Sequence, residues 1–250
     1  MTRVGAPEIE IAAQDLDGVR IALDEGADRV ELCSALGVGG LTPSAGIIER
    51  AAALGRDRGR RDFVHVLIRP RSGGFFYSVD ELDVMLRDIR QARELGAGGI
   101  VVGLVDKHGR VDVSSTAALV AAAGPLPVTY HRAIDVAKDA SSAVRALAAV
   151  GVRRILTSGT ARHAIEGLPM LRSLVEHAAG AVQVMAGGGI TADQLTVLAE
   201  TGVDAVHLSA RMTVTGQASG PGGGHPEYDT TDAHAVRAMI RAREALASAR

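Results

Sequence analysis

The feature that most constrains this chain is an alternation. Short apolar runs rich in β-branched residues alternate with longer segments of helical period, eight times over, with Gly, Pro, Asp or Ser at the joints. Runs suited to strands cover 8–12, 28–34, 63–70, 99–105, 127–133, 153–158, 181–186 and 205–210. Helical segments cover 15–25, 43–54, 79–95, 114–123, 140–150, 168–178, 192–201 and 232–248. Strands separated each time by a helix are expected to run parallel, with the helices covering the sheet. Eight such units suffice to close a ring, so the expected fold is a (β/α)8 TIM barrel occupying residues 1–250 as a single domain. An open doubly wound sheet is the alternative, disfavoured because no GxGxxG follows the first strand. One connection breaks the rhythm: a Gly/Pro-rich loop is expected at about 212–230, reading GQASGPGGGHPEY over 216–228. In a barrel it falls on the catalytic face, where it would serve as a mobile lid or as a plain solvated loop.

Charge and composition narrow the partners. Lys+Arg sum to 27 and Asp+Glu to 29, a net charge of −2 that supplies no drive toward nucleic acid or an anionic membrane. Aromatics make up 2% of the chain, too few for the stacking platforms of single-strand binders. Residues 1–11 meet charge at Arg3, Glu8 and Glu10 before any apolar run develops, so neither a secretion signal nor a spanning helix is read there and a cytoplasmic protein is expected. The single cysteine, Cys33, forms no internal disulfide, and no CxxC or HExxH pattern marks a zinc site.

In a barrel of this kind, chemistry collects where strands end, and residues two apart share a face. The second strand puts Glu31 beside Cys33: a general base next to a nucleophile or soft metal ligand, or else a buried carboxylate with a structural partner and an inert thiol. The third offers Arg69 and Arg71, whose guanidinium forks suit either Glu31 or an anionic substrate, with His65 deeper as a hydrogen-bonded core residue. The fifth carries the densest cluster, His131-Arg132-Ala133-Ile134-Asp135, in which His131 is expected to move protons while Arg132 and Asp135 orient it or bind substrate. A satisfied polar layer capping the barrel is the bland alternative. Ser158 ends the sixth strand. Gly187 and Gly188 follow the seventh with Thr191 as helix cap, and Ser209 and Arg211 follow His207 on the eighth, together an expected seat for phosphate or carboxylate. Lysine occurs only as Lys107 and Lys138, both in loop-like contexts, which disfavours an imine-forming aldolase. Glu10, Glu31, His131 and His207 are the harder ligands available to a metal, one from each of four strands. Glu31, Arg69 and His131 are therefore the catalytic candidates for isomerase- or lyase-type proton transfer on a small phosphorylated or carboxylated metabolite.

Seven spaced motifs also match a known family: Val30-Glu31-Leu32-Cys33-Ser34, Gly40-Leu41-Thr42-Pro43-Ser44, Ile68-Arg69-Pro70-Arg71, Phe76-Tyr77-Ser78, His131-Arg132-Ala133, Leu156-Thr157-Ser158-Gly159 and His207-Leu208-Ser209-Ala210-Arg211. In this order they resemble the CutC family, named for copper homeostasis, over nearly the whole chain. The resemblance implies a (β/α)8 barrel, a cytoplasmic homodimer and copper as ligand, with Cys33 as the metal-ligand candidate. It also implies a departure: many relatives carry cysteine where Ala12 stands here, and some where Leu208 stands. Cu(I) favours two or three soft ligands, so Cys33 needs help from Met185, a histidine or a second subunit.

Overall fold

The computed structural model describes residues 5–138, 140–216, 220 and 226–249. Eight parallel strands close into a barrel in sequence order: β1 (Glu8–Ala13), β2 (Arg29–Leu32), β3 (Val64–Leu67), β4 (Gly99–Val102), β5 (Val128–Tyr130), β6 (Arg154–Thr157), β7 (Gln183–Gly187) and β8 (Ala205–Leu208). The helices between and after them are α1 (Leu16–Glu25), α2 (Ala45–Asp57), α3 (Val79–Glu94), α4 (Val113–Ala123), α5 (Ala140–Ala149), α6 (Leu168–Ala178), α7 (Leu195–Ala199) and α8 (Ala233–Ser248). The expected (β/α)8 barrel is the observed fold. None of the helices among the described residues is long and apolar enough to cross a membrane.

Local chemistry explains where the helices start. Asp15 accepts a hydrogen bond from the Gly18 amide at α1, and Ser78 and Glu81 form a reciprocal capping box at α3. Each helix then buries one stripe, such as Met85, Ile89 and Ala92 of α3, against the outward residues of the strands, such as Val66, Ile100 and Val102. Burying a large aliphatic side chain in this layer contributes about 1.5–3 kcal/mol. The segment expected as a helix over 192–201 is instead a 3-10 turn, Ala192–Gln194, followed by the five-residue α7.

The inward residues are of a different kind. Arg29 of β2 donates to Thr129 Oγ1 of β5 at 3.1 Å and lies against Met185 of β7, contacts that require its side chain to cross the barrel interior. Alternation then places Arg29, Glu31 and Cys33 on one inward row, His65, Leu67 and Arg69 on the next, and Gly99, Val101 and Gly103 on the third. Two of these positions have to be glycine. A Cβ on Gly99 would overlap the His65 ring, and one on Gly103 would overlap the His131 ring, so β4 yields the space that two imidazoles fill.

The connection expected as a loop over about 212–230 is in part regular. Strands β9 (Arg211–Thr215) and β10 (Glu227–Thr231) pair antiparallel, with Arg211 opposite Thr231 and Val214 opposite Tyr228. The β-branched residues Thr213, Val214 and Thr215 face Asp229, Tyr228 and Glu227, a short alternation masked in the sequence by the Gly/Pro content between the two arms. Residues 217–219 and 221–225, on which the lid expectation mostly falls, lie outside the described residues.

Candidate active site

The register at the barrel's closure builds the site. Glu10 of β1 stands opposite Arg29 of β2 on one side and His207 of β8 on the other, so three ionisable side chains occupy one level of the interior. The Arg29 Nε–H pairs with Glu10 Oε2, and both side chains are buried. His207 Nδ1 lies 2.6 Å from Glu10 Oε1, and its Nε2 lies 3.6 Å from Glu31 Oε2, giving a carboxylate–imidazole–carboxylate row that leads from the interior toward the mouth. Glu10, Glu31 and His207 can bring one ligand atom each within 4.8 Å of one another.

The members of this row have opposite acid–base characters. Burial favours a neutral Glu10, but Arg29 and His207 together outweigh it and hold the carboxyl well below its usual range. Burial also dominates at Glu31, and there the charge of Glu10 adds to it while His207 and Arg29 oppose it, leaving the carboxyl pushed up to about 7. For His207 burial favours the neutral ring, yet the hydrogen bond to Glu10 and the charge of Glu31 prevail and its pKa is raised. Glu10 therefore fixes and charges His207, and Glu31 exchanges its proton near neutrality.

A cavity of about 190 Å³ opens above this row at the C-terminal mouth, lined by Ala12, Glu31, Cys33, Arg69, Phe75, His131, Arg132, His207 and Ser209 among others. Arg69, 6% exposed, donates from its Nη atoms to the backbone carbonyls of Val38 at 3.1 Å, Gly40 at 3.0 Å and Gly73 at 2.7 Å, and among the described residues no carboxylate pairs with it. Glu31, for which Arg69 was one expected partner, pairs with His207 instead. Arg132 is turned by Asp135, which accepts from its Nε at 2.8 Å and from the Ser158 hydroxyl at 2.8 Å. His131 is buried, and burial with the nearby Arg69 charge lowers its pKa to about 3, so the ring is neutral at ordinary pH. His65, expected as a core histidine, contacts Arg29 through Nδ1 at 3.3 Å below the site.

Of the sequence-derived candidates, the fold gathers Glu31, Cys33, Arg69, His131, Arg132 and Ser209 around the cavity. Asp135 and Ser158 stand behind Arg132 as its hydrogen-bonding support. Four others are not part of the lining. Arg71 pairs with Glu81 at 2.5 Å and with the Phe76 carbonyl at 2.7 Å, outside the cavity lining. Arg211 lies on β9, exposed, and pairs with Asp229 at 3.1 Å. Gly187 closes β7 against Leu156 and His207, and Gly188 follows it beside Arg132, so both border the lining without forming part of it. The residue that sequence reasoning passed over is Arg29, although its spacing of two from Glu31 carried the signal. Gly103 leaves no room for a side chain beside the His131 ring. Gly103→Ala is expected to displace the His131 ring and to destabilise the protein by about 1–3 kcal/mol, read from a urea melt; a melt superimposable on that of the parent protein would contradict this packing.

The CutC family profile matches residues 8–212. This chain belongs to the CutC family. It is 41% identical over 209 residues to a CutC family protein of Pasteurella multocida, covering 82% of each chain, and 40% identical over 242 residues to one of Xanthomonas axonopodis pv. citri, covering 94% of this chain and 98% of the relative. Among solved structures it is similar to CutC of Streptococcus agalactiae, named as a copper homeostasis protein, with a TM-score of 0.76 and 34% identity over 81% of this chain and 98% of that one. An aldolase at 18% identity, with a TM-score of 0.61, shares the fold alone.

The family's association with copper can be weighed against the donors present. Cys33, 1% exposed, directs its thiol to the Ala13 carbonyl at 3.7 Å, and burial, helped by the Glu31 charge, pushes its pKa up, so it is a neutral thiol where a metal needs a thiolate. Ala12 lines the same cavity, so the cysteine that the resemblance implies at that position would have faced Cys33's cavity; here a methyl group stands in its place. Leu208 packs in the layer between barrel and helices and does not line the cavity. Met185, the other soft candidate, is also buried away from the lining and lies against Arg29 and Arg154. Among the described residues the converging ligand atoms are two carboxylates and an imidazole, a set without soft character, so the donors do not fit a Cu(I) centre.

Proposed function

We propose that the mouth of this CutC-family barrel is a proton-transferring active site for a small anionic metabolite, with Arg69 binding the anion and the Glu31–His207 pair moving the proton. The observation that carries this reading is the state of Arg69. Its guanidinium is buried and no carboxylate among the described residues neutralises it, although burying an unpaired charge costs several kcal/mol. An anionic ligand in the adjoining cavity supplies the missing charge, and Arg132 and Ser209 add donors to the same wall. Glu31, half-ionised near pH 7, is matched to general acid–base work. The cavity lies below the range of about 300–1,000 Å³ usual for drug-sized ligands, which favours a small metabolite.

A copper-binding reading rests on Cys33 and on the family's association with copper homeostasis; a single neutral thiol makes it the weaker of the two. The cytoplasmic homodimer expected from the resemblance belongs to the same proposal, with sedimentation velocity as the check on the dimer. Titration calorimetry with small carboxylates and phosphates at pH 7 tests the anion site. The parent protein is expected to bind at least one of them, and Arg69→Met to lose about 10–100-fold in affinity, the value of a charge-assisted hydrogen bond. Equal affinity in a folded Arg69→Met protein would overturn the assignment.

A further inference from the structure

His131 has one ring nitrogen engaged and one not. The Ala133 amide donates to Nδ1 at 3.1 Å, so Nδ1 carries a lone pair and the proton of the neutral ring sits on Nε2. Nε2 is buried and has no hydrogen-bond partner among the described residues, while the side chain lines the cavity. The ring is held in place: Phe75 lies against it with centroids 5.0 Å apart, and Gly103 backs it with no room for a methyl group. Arg69, whose guanidinium rests over the same Phe75 ring at 5.1 Å, adds a positive charge nearby that disfavours protonation. A buried N–H without an acceptor is uncommon in folded proteins, and here it belongs to a ring that lines a cavity bearing a cation, Arg69, and a proton acceptor, Glu31.

We infer that His131 is a neutral hydrogen-bond donor to a carbonyl oxygen of the substrate, which makes the substrate class a small anionic carbonyl compound with a C–H bond next to the carbonyl. This rests on the anion site proposed above and gives it a reaction. Arg69 holds the carboxylate or phosphate. The Glu31 carboxylate takes the proton from the carbon beside the carbonyl, and the C–H electron pair becomes the C=C bond of an enolate. The oxygen gains the negative charge and keeps the His131 Nε2–H bond, which strengthens as that charge develops. Return of the proton from Glu31 to the same carbon completes an exchange that needs no oxidant or reductant.

Two measurements test this. In 15N-labelled protein at pH 7 the His131 ring is expected as the Nε2–H tautomer; an Nδ1–H or doubly protonated ring overturns the inference without reference to any ligand or variant. In D2O, loss of the C–H proton signal of pyruvate, 2-oxobutyrate or dihydroxyacetone phosphate is expected to be faster with the protein than with buffer, the first two probing a carboxylate anchor and the third a phosphate. His131→Phe is expected to slow that exchange by about 100-fold or more while affinity for inorganic phosphate, which has no carbonyl oxygen, changes little, and His131→Gln, which keeps an N–H, to restore part of the exchange. Exchange in His131→Phe as fast as in the parent, or a parent protein that binds anions yet exchanges none of the three probes, overturns the carbonyl assignment and leaves the anion site standing. Absence of anion binding in the parent removes both.

Discussion

Glu31→Gln is expected to make the protein more stable than the parent above pH 7 and to slow the proposed proton transfer. The sign follows from the direction of the Glu31 shift. Its carboxyl, which ordinarily titrates near 4.5, is pushed up to about 7 in the folded chain. Below about pH 4.5 folded and unfolded forms both hold the proton, and the favourable contribution is complete. Between that pH and about 7 only the folded form retains it, so stability falls as pH rises; above 7 the folded chain carries a buried carboxylate and the loss is complete, about 3 kcal/mol. Glutamine does not titrate, so the stability of the variant relative to the parent should climb by about that amount between pH 5 and pH 8. The groups facing Glu31 modify this in known directions. His207, raised, also gives up stability as pH rises, whereas Glu10, held low by Arg29 and His207, gives it up only in acid. Urea denaturation across pH 5–8 checks the stability. Turnover by general acid–base catalysis should fall by about 10²–10⁴-fold. Parallel pH profiles for the two proteins would show that Glu31 has an ordinary carboxyl.

Arg29→Met is the second large effect. The Arg29–Glu10 pair is buried inside the barrel, and removing one partner strands the other charge, a change of about 3–5 kcal/mol. Loss of the guanidinium also leaves Thr129 and His65 without their contacts to it and withdraws the principal charge that keeps Glu10 ionised. Glu10→Gln combined with Arg29→Met removes both charges and should recover part of the stability lost by Arg29→Met alone, since the desolvation of an unpaired ion is no longer present. Chemical denaturation of the single and double variants measures the difference. An Arg29→Met protein within about 1 kcal/mol of the parent would mean that the pair does not hold the interior together.

How much of this was legible in the sequence depends on whether the information is local. The eightfold alternation is local, and it yields the barrel. The pairing of side chains along one strand is local too: Arg29, Glu31 and Cys33 share a face by their spacing, and so do His65 and Arg69. Partnership across the closure is not. Glu10 meets His207 across 197 residues because β1 pairs with β8 in one particular register, and nothing in either segment specifies that register. Glu31 consequently finds His207 rather than Arg69. Period-two reasoning also fails where a strand stops. β3 ends at Leu67, so the face of Arg71, four residues on, is set by a turn and not by the pleat, and the residue leaves for Glu81. Arg211 misses the mouth for the same reason: β8 ends at Leu208, and the chain reaches Arg211 as the first residue of a separate hairpin. The tautomer of His131 was hidden in a hydrogen bond from an amide two residues away, which is visible only in three dimensions.

Native mass spectrometry of the purified protein tests most directly whether the barrel mouth is an anion site. The account predicts a small carboxylate or phosphate compound bound to the folded chain, lost in Arg69→Met and retained in Cys33→Ser, with no stoichiometric copper. Copper bound one per chain, lost in Cys33→Ser and unaffected by Arg69→Met, with no small anion present, would contradict it.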